Sequence, residues 1–430
     1  VHRIGGEVVY ALRSEIDHWS VSEASRSAAA SANGDGNGQS DGKPADGRAP
    51  GTRWLGRTWR HRILLISGMA TAALAIALVT HFLATAPPIH GWRVSGNELR
   101  AFDADGRELW VYPLPTREGP DQGGPEIPTT DDQRRALIED LDGDGSSELV
   151  FVSRPPDSKE AKLFVLDAKG HLRFAHQRTA GADFGGVPQL GPFQAAWVEV
   201  TANADGSKAL WLQSRHFPFF ASVIEKLDPQ GHRLADYWNG GSLSQLAVGT
   251  FGGRRLVFIG GDANEGHGAA LAVFEEDQVG GGNVGGDVAH TCTSCGPVKA
   301  MAIFIFPRHD VGDAAPSESK VSLISLKDEA EIQVDVEYYN AEVPGLPGLQ
   351  HAVANFVFDP SFRLIHAEHG AGYRILHDYF FGKRRLDHQY GERDEAQLVP
   401  IRRWVGGMSF EPVDLTPAPA SASSLPAPVR

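Results

Sequence analysis

A strand, an acidic tight turn and a second strand recur along this chain, and that unit limits the fold more than any other feature. It reads LRAFDADGRELWVY at 99–112, LFVLDAKGHLRFAH at 163–176 and VIEKLDPQGHRLADY at 223–237, with a looser copy, FVFDPSFRLIHAEH, at 356–369. An Asp followed three residues later by Gly, between alternating apolar runs, is hairpin chemistry. The glycine supplies positive φ, and the aspartate accepts hydrogen bonds from its own turn. Such a chain folds as antiparallel β-structure.

A longer period appears when the preceding runs are aligned. The segments ALIEDLDGDGSSELVFVS (136–153), WVEVTANADGSKALWLQS (197–214), LAVGTFGGRRLVFIGG (246–261) and AMAIFIFPRH (300–309) begin some 50–60 residues apart. Each reads as strand, turn, strand, followed by the hairpin unit. Four strands per repeat predicts an all-β, β-propeller-like domain over 91–412 with five to seven blades. The segment 91–112 reads as the second half of a blade and 352–369 as a first half, which predicts a ring closed by strands from both ends. A β-sandwich or two smaller β-domains are the alternatives. The two cysteines supply no disulfide framework, so the core has to come from apolar burial.

The sharpest motif is Asp140-Leu141-Asp142-Gly143-Asp144-Gly145-Ser146-Ser147-Glu148. Carboxylates at its first, third, fifth and ninth positions, with the Ser146 carbonyl, form an oxygen-rich set of the kind Ca2+ takes. Apolar strands flank it and no Glu stands at a twelfth position, which excludes an EF-hand. The bland alternative is an acidic turn held by Asx hydrogen bonds without metal. The string resembles the calcium loop of FG-GAP and VCBS repeats, the units of integrin-like propellers, which place such a loop between the first two strands of a blade. That resemblance extends over about 91–412. It implies one structural Ca2+ on Asp140, Asp142, Asp144, Ser146 and Glu148. The equivalent turns at Asn203–Asp205 and Phe251-Gly252-Gly253 lack most or all of the acids.

From Ile63 the sequence runs ILLISGMATAALAIALVTHFLA without a Lys, Arg, Asp or Glu. That length suits a membrane helix, here bounded at 63–85. Arg53, Arg57, Arg60 and Arg62 precede it within a basic segment, 53–62, while Pro87, Pro88 and His90 follow. The positive-inside rule then leaves the N-terminus in the cytoplasm and exports everything after the span, periplasmic or extracellular, on an uncleaved signal anchor of bacterial type. The formal charge is −14, and the part before the span is slightly basic, so the exported part is acidic. An acidic domain is a poor partner for nucleic acid.

Residues 21–52, rich in Ser, Ala, Gly and Asp, read as a disordered linker. Before them, VHRIGGEVVYALRSEIDHW pairs two short apolar runs across Gly5-Gly6 and continues into a helix-like stretch. It resembles the wing and closing helix of excisionase-like winged helix-turn-helix domains over 1–20. The resemblance implies Arg3 as the one candidate DNA contact; the alternative is a hairpin–helix remnant that binds nothing. DNA binding requires a helix-turn-helix ahead of Val1, and the reading frame is expected to extend upstream. Residues 413–430 read as a disordered Pro/Ala-rich tail.

Three weaker signals complete the reading. Cys292-Thr293-Ser294-Cys295 lies in a glycine-rich loop and reads as a local disulfide rather than a redox pair, with a metal clip through His290 weaker still. His351, His366, His369, His377 and His388 read as separate core or surface residues rather than one metal site. His366 and His369 stand three apart in a strand and so point to opposite faces. The stretch 372–397 mixes aromatic, basic and acidic residues, and Lys383-Arg384-Arg385 within it reads as a solvated turn or a local anion patch. No nucleophile elbow, Walker loop or HExxH occurs. The expectation is therefore a non-enzymatic, membrane-anchored binding or scaffold protein with a protein or glycan partner. The alternative is a one-component transmembrane transcription regulator with an exported sensor.

Overall fold

The computed structural model describes residues 87–114, 136–153, 161–216, 221–263, 268–283, 288–314, 319–327, 329–340, 351–399, 401–407, 409–413 and 415, together with strands at 2–4 and 7–9. The linker 21–52, the basic segment 53–62, the apolar run 63–85 and the tail beyond 415 lie outside the described residues. Among the described residues, no helix is long and apolar enough to cross a membrane.

At the N-terminus, β1 (His2–Ile4) and β2 (Glu7–Val9) form an antiparallel hairpin in which Arg3 pairs with Val8. The rest of the described chain is mostly β-sheet. A first sheet contains β3 (Gly91–Ser95), β4 (Glu98–Phe102) and β5 (Glu108–Pro113). The second contains β6 (Ala136–Glu139), β7 (Glu148–Ser153), β8 (Lys162–Leu166) and β9 (Leu172–His176). A small hairpin follows, β10 (Ala182–Phe184) with β11 (Val187–Gln189). The third sheet has β12 (Gln194–Ala202), β13 (Lys208–Arg215), β14 (Ser222–Leu227) and β15 (Arg233–Asn239), extended in parallel by β19 (Gly281–Gly282). The fourth has β16 (Leu243–Phe251), β17 (Arg254–Asp262), β18 (Ala269–Glu275) and β20 (Ala302–Ile305). The fifth has β21 (Lys320–Lys327), β22 (Glu331–Asn340), β23 (His351–Phe358) and β24 (Leu364–His369).

Consecutive sheets share apolar clusters. Leu99 and Ala101 of the first meet Phe151 and Phe164 of the second. Val150 and Val165 of the second meet Val198 and Leu210 of the third. Trp211 and Tyr237 of the third meet Val257 and Phe274 of the fourth, and Phe258 and Phe304 of the fourth meet Val334 and Phe356 of the fifth. Each fully buried side chain of this size contributes roughly 1.5–3 kcal/mol. Strands of the middle sheets are buried throughout, as in β7 and β14. In the first and fifth sheets burial alternates, clearly so in β4 and β23. Alternation means one covered face and one wetter face.

That pattern corrects the expected closure. The sheets form no closed barrel, and among the described residues no apolar cluster joins the first sheet to the last. Strands β23 and β24 complete the fifth sheet with β21 and β22 instead of meeting β3–β5. The closing strands of the chain, β25 (Ile401–Gly406) and β26 (Ser409–Val413), extend the fourth sheet beyond β20. Val413 therefore belongs to a strand, not to the tail.

The acidic hairpin is realised four times as expected. Asp103, Asp167, Asp228 and Asp359 each accept two backbone N–H groups with one oxygen, from the residues two and four positions on. In the fourth copy Phe362 takes the left-handed position at φ +60°, held there by packing on Phe251 and Phe304. Two of the turns also lock adjacent sheets together. A Cβ at Gly170 would lie 2.7 Å from the Trp110 ring, and one at Gly231 would lie 2.7 Å from Phe174. Trp110 and Phe174 each stand seven residues after their own turn aspartate, so each unit clasps the turn of the next.

Lys383-Arg384-Arg385 forms an exposed turn as expected, with a helix on either side of it. Helix α1 (Asp310–Ala314) precedes the fifth sheet, while α2 (Ala371–Gly382) and α3 (Glu392–Gln397) follow it. Tyr373, Leu376 and Phe380 put one face of α2 into the largest core cluster. Lys383, Arg384 and Arg385 donate their backbone N–H groups to Tyr379, Phe381 and Phe380 carbonyls. The basic run thus caps α2, where positive charge is favoured by the helix dipole.

Candidate functional site

The loop between β6 and β7 is folded by its own carboxylates. Asp140 accepts Gly143 N–H through Oδ1 at 2.8 Å and Gly145 N–H through Oδ2 at 3.0 Å. Asp142 Oδ1 accepts Asp144 N–H at 3.3 Å, and Asp144 Oδ1 accepts Ser146 N–H at 2.7 Å. Gly143 and Gly145 sit at φ +77° and +87°, where a side chain is strained. Glu148, the first residue of β7, is 2 % exposed and accepts Leu141 N–H through Oε2 at 2.8 Å. Leu141 is buried with Val150, so the loop is anchored in the core at its second residue.

Asp140, Asp142 and Glu148 converge, with one carboxylate oxygen from each within 4.8 Å of the others. Asp144 lies outside that set and serves the turn. Arg173 on β9 reaches the same carboxylates, with Nη1 2.7 Å from Glu148 and Nη2 2.9 Å from Asp142. Burial pushes the Glu148 carboxyl above its ordinary range, against the lowering effects of Leu141 N–H and Arg173. The oxygen-only donor set suits a hard cation such as Ca2+. Such an ion and the Arg173 guanidinium would compete for Asp142 and Glu148.

The remaining sequence-marked residues are dispersed. Cys292 and Cys295 are joined as a disulfide with Cα atoms 5.8 Å apart. Their loop rests on the β10–β11 hairpin, where Thr293 N–H donates to the Asp183 carbonyl at 2.8 Å. On β24, His366 is exposed and His369 is buried, as the strand period requires.

His351 stands apart beside Glu337, but His377 and His388 are not separate. His377 on α2 and His388 after it meet Asp310 and Asp394. Beside them His309 Nδ1 lies 2.9 Å from His369 Nε2, and His369 Nδ1 lies 3.1 Å from the Tyr390 hydroxyl. Tyr390 in turn donates to Glu395. The grouping depends on α2, which the sequence reading of 372–397 does not include. The helical spacing of Tyr373, Leu376, His377 and Phe380 was the signal that could have revealed it.

A groove of about 550 Å3 lies where β25–β26 meets the fourth acidic hairpin, and Met301, Phe362, Arg363, Arg403, Trp404 and Glu411 line it. Its wall mixes apolar and charged groups.

No protein-family model matches the chain, and no curated protein matches it. Among solved structures, a member of the DUF4221 family from Bacteroides vulgatus is 10% identical. The match covers 66% of this chain and 82% of that one, with a TM-score of 0.25. The V. cholerae biofilm matrix protein Bap1 is 12% identical, with 64% of this chain and 55% of that one covered and a TM-score of 0.20.

Proposed function

We propose that this chain is a single-span, membrane-anchored protein that displays a non-enzymatic binding or scaffold domain outside the cytoplasm. In this reading the stacked sheets over 91–412 form an open, propeller-like platform of FG-GAP/VCBS type, and Ca2+ stiffens the 140–148 loop. The observation that carries it is the convergence of Asp140, Asp142 and Glu148 at the first turn of a sheet buried on both faces. The apolar run after four arginines supports the anchor. The Cys292–Cys295 bridge suits an oxidising compartment.

The groove beside β25–β26 is the binding face in this account. Trp404, with Arg363, Arg403 and Glu411 around it, offers an apolar surface inside a polar rim, a combination suited to a cell-envelope glycan. Co-sedimentation of the purified chain with peptidoglycan sacculi is the test. Retention that falls about tenfold in Trp404→Ala, roughly 1.4 kcal/mol, is expected. Equal sedimentation with and without sacculi contradicts the glycan reading.

A second reading rests on the β1–β2 hairpin, whose pairing matches a wing. It makes the cytoplasmic part a DNA-binding module and the exported domain its sensor.

A further inference from the structure

We infer that Asp310, His377, His388 and Asp394 form a second metal site, for a divalent transition cation of the Zn2+, Co2+ or Mn2+ class. Nothing in the calcium reading requires it, because it lies among the helices that follow and precede the fifth sheet.

The argument begins with the donor atoms. His377 Nε2 stands 2.9 Å from Asp394 Oδ1. His388 Nε2 stands 3.3 Å from the same oxygen and 3.4 Å from Asp310 Oδ2, and all four donor atoms lie within 4.8 Å of one another. With metal–ligand distances near 2.0–2.1 Å, adjacent ligands of a tetrahedral or octahedral ion lie roughly 2.8–3.4 Å apart. The three short separations fall around that range.

The second observation is a buried orphan. The His377 side chain is fully buried, and neither ring nitrogen has a hydrogen-bond partner. Its Nε2 is nevertheless in close contact with a buried carboxylate oxygen. Two donor atoms that approach without hydrogen-bond alignment are placed as neighbouring ligands of one cation are. An unpaired buried polar group is otherwise costly.

The surrounding groups fit the same assignment. Asp387 Oδ1 lies 2.7 Å from His388 Nδ1. A proton on Nδ1 leaves the Nε2 lone pair facing Asp394 and Asp310, the carboxylate–histidine–metal order common around bound metals. Asp394 Oδ2 accepts Gly391 N–H at 2.8 Å, which fixes the carboxylate at the start of α3. Two aspartates and two neutral imidazoles carry the charge that a divalent ion balances. Imidazole donors select the transition series over Ca2+. His377 and Asp394 form the buried floor, while the His388 and Asp310 side chains are about 20% exposed and give the ion a path from solvent.

The test uses the purified full chain, stripped with chelator and titrated with Zn2+ and Co2+. Tight uptake is expected, with Co2+ giving the visible bands of a mixed imidazole–carboxylate site. His388→Gln, at a half-buried position, should abolish the bands. Asp387→Asn should weaken binding about 10- to 100-fold. Asp142→Asn, in the calcium loop, should leave Co2+ binding unchanged, which separates the two sites. Absence of uptake by the folded wild-type chain, or Co2+ bands that survive in His388→Gln, would overturn the proposal. The cluster would then be an ion-paired network holding only protons.

Discussion

Between pH 6.5 and about 4 the β-domain is expected to lose stability steeply, and the buried pair His369 and His309, both pushed down by burial, is the cause. His369 is 1 % exposed, its ring stacks on Tyr373 with centroids 3.8 Å apart, and His309 and Tyr390 face its two nitrogens. Burial pushes its pKa down to about 4, with Asp394 raising it and Arg374 and His377 lowering it. An unfolded histidine titrates near 6.5. Below that pH the unfolded chain takes a proton that the fold refuses. Stability is therefore fully present above about 6.5 and falls as pH drops toward 4, by roughly 3 kcal/mol from His369 alone. Urea melts at pH 7.5 and pH 5 measure this. His369→Gln should reduce the difference, although it lowers stability at pH 7.5. An unchanged slope in that variant would place the acid sensitivity elsewhere.

The second large effect concerns Glu148. Its carboxylate holds Leu141 N–H and one side of Arg173, and burial isolates it from water. Replacing it with Gln leaves Arg173, itself partly exposed, paired only to Asp142, and the lost charged hydrogen bond costs about 1.5–3 kcal/mol. The variant should also lose any response to Ca2+. In the wild-type chain, Ca2+ at about 100 times its dissociation constant is expected to add roughly 2.7 kcal/mol by binding only the folded loop. Calorimetry with Ca2+ and with EDTA reads both effects. A melting temperature indifferent to Ca2+ in wild type and in Arg173→Gln would reduce the loop to an arginine-closed acidic turn.

Local chemistry explains what the sequence disclosed. The turn aspartates bond to residues two and four positions away, so four hairpins and the carboxylate loop could be read from short strings. Arg173 could not, because its approach to Asp142 and Glu148 depends on β8 and β9 following β7 across one sheet. The ring closure failed for a related reason. Alternating burial in β4 and β23 marks sheets with one covered face, whereas the continuous burial of β7 and β14 marks sheets covered on both. The histidine cluster needs Asp310 and Asp394 brought together by three helices, and only α2 announces itself through apolar spacing. Phe362 shows packing overriding turn chemistry, since a core aromatic occupies the position glycine holds in the other copies.

The central claim, an exported domain on a membrane anchor, is tested most directly by adding protease to intact cells that carry distinct tags at the two ends of the chain. Digestion of the C-terminal domain, with the N-terminal tag protected until the cells are lysed, is the predicted result. A C-terminal domain that stays whole outside and is cut only after lysis would contradict the account.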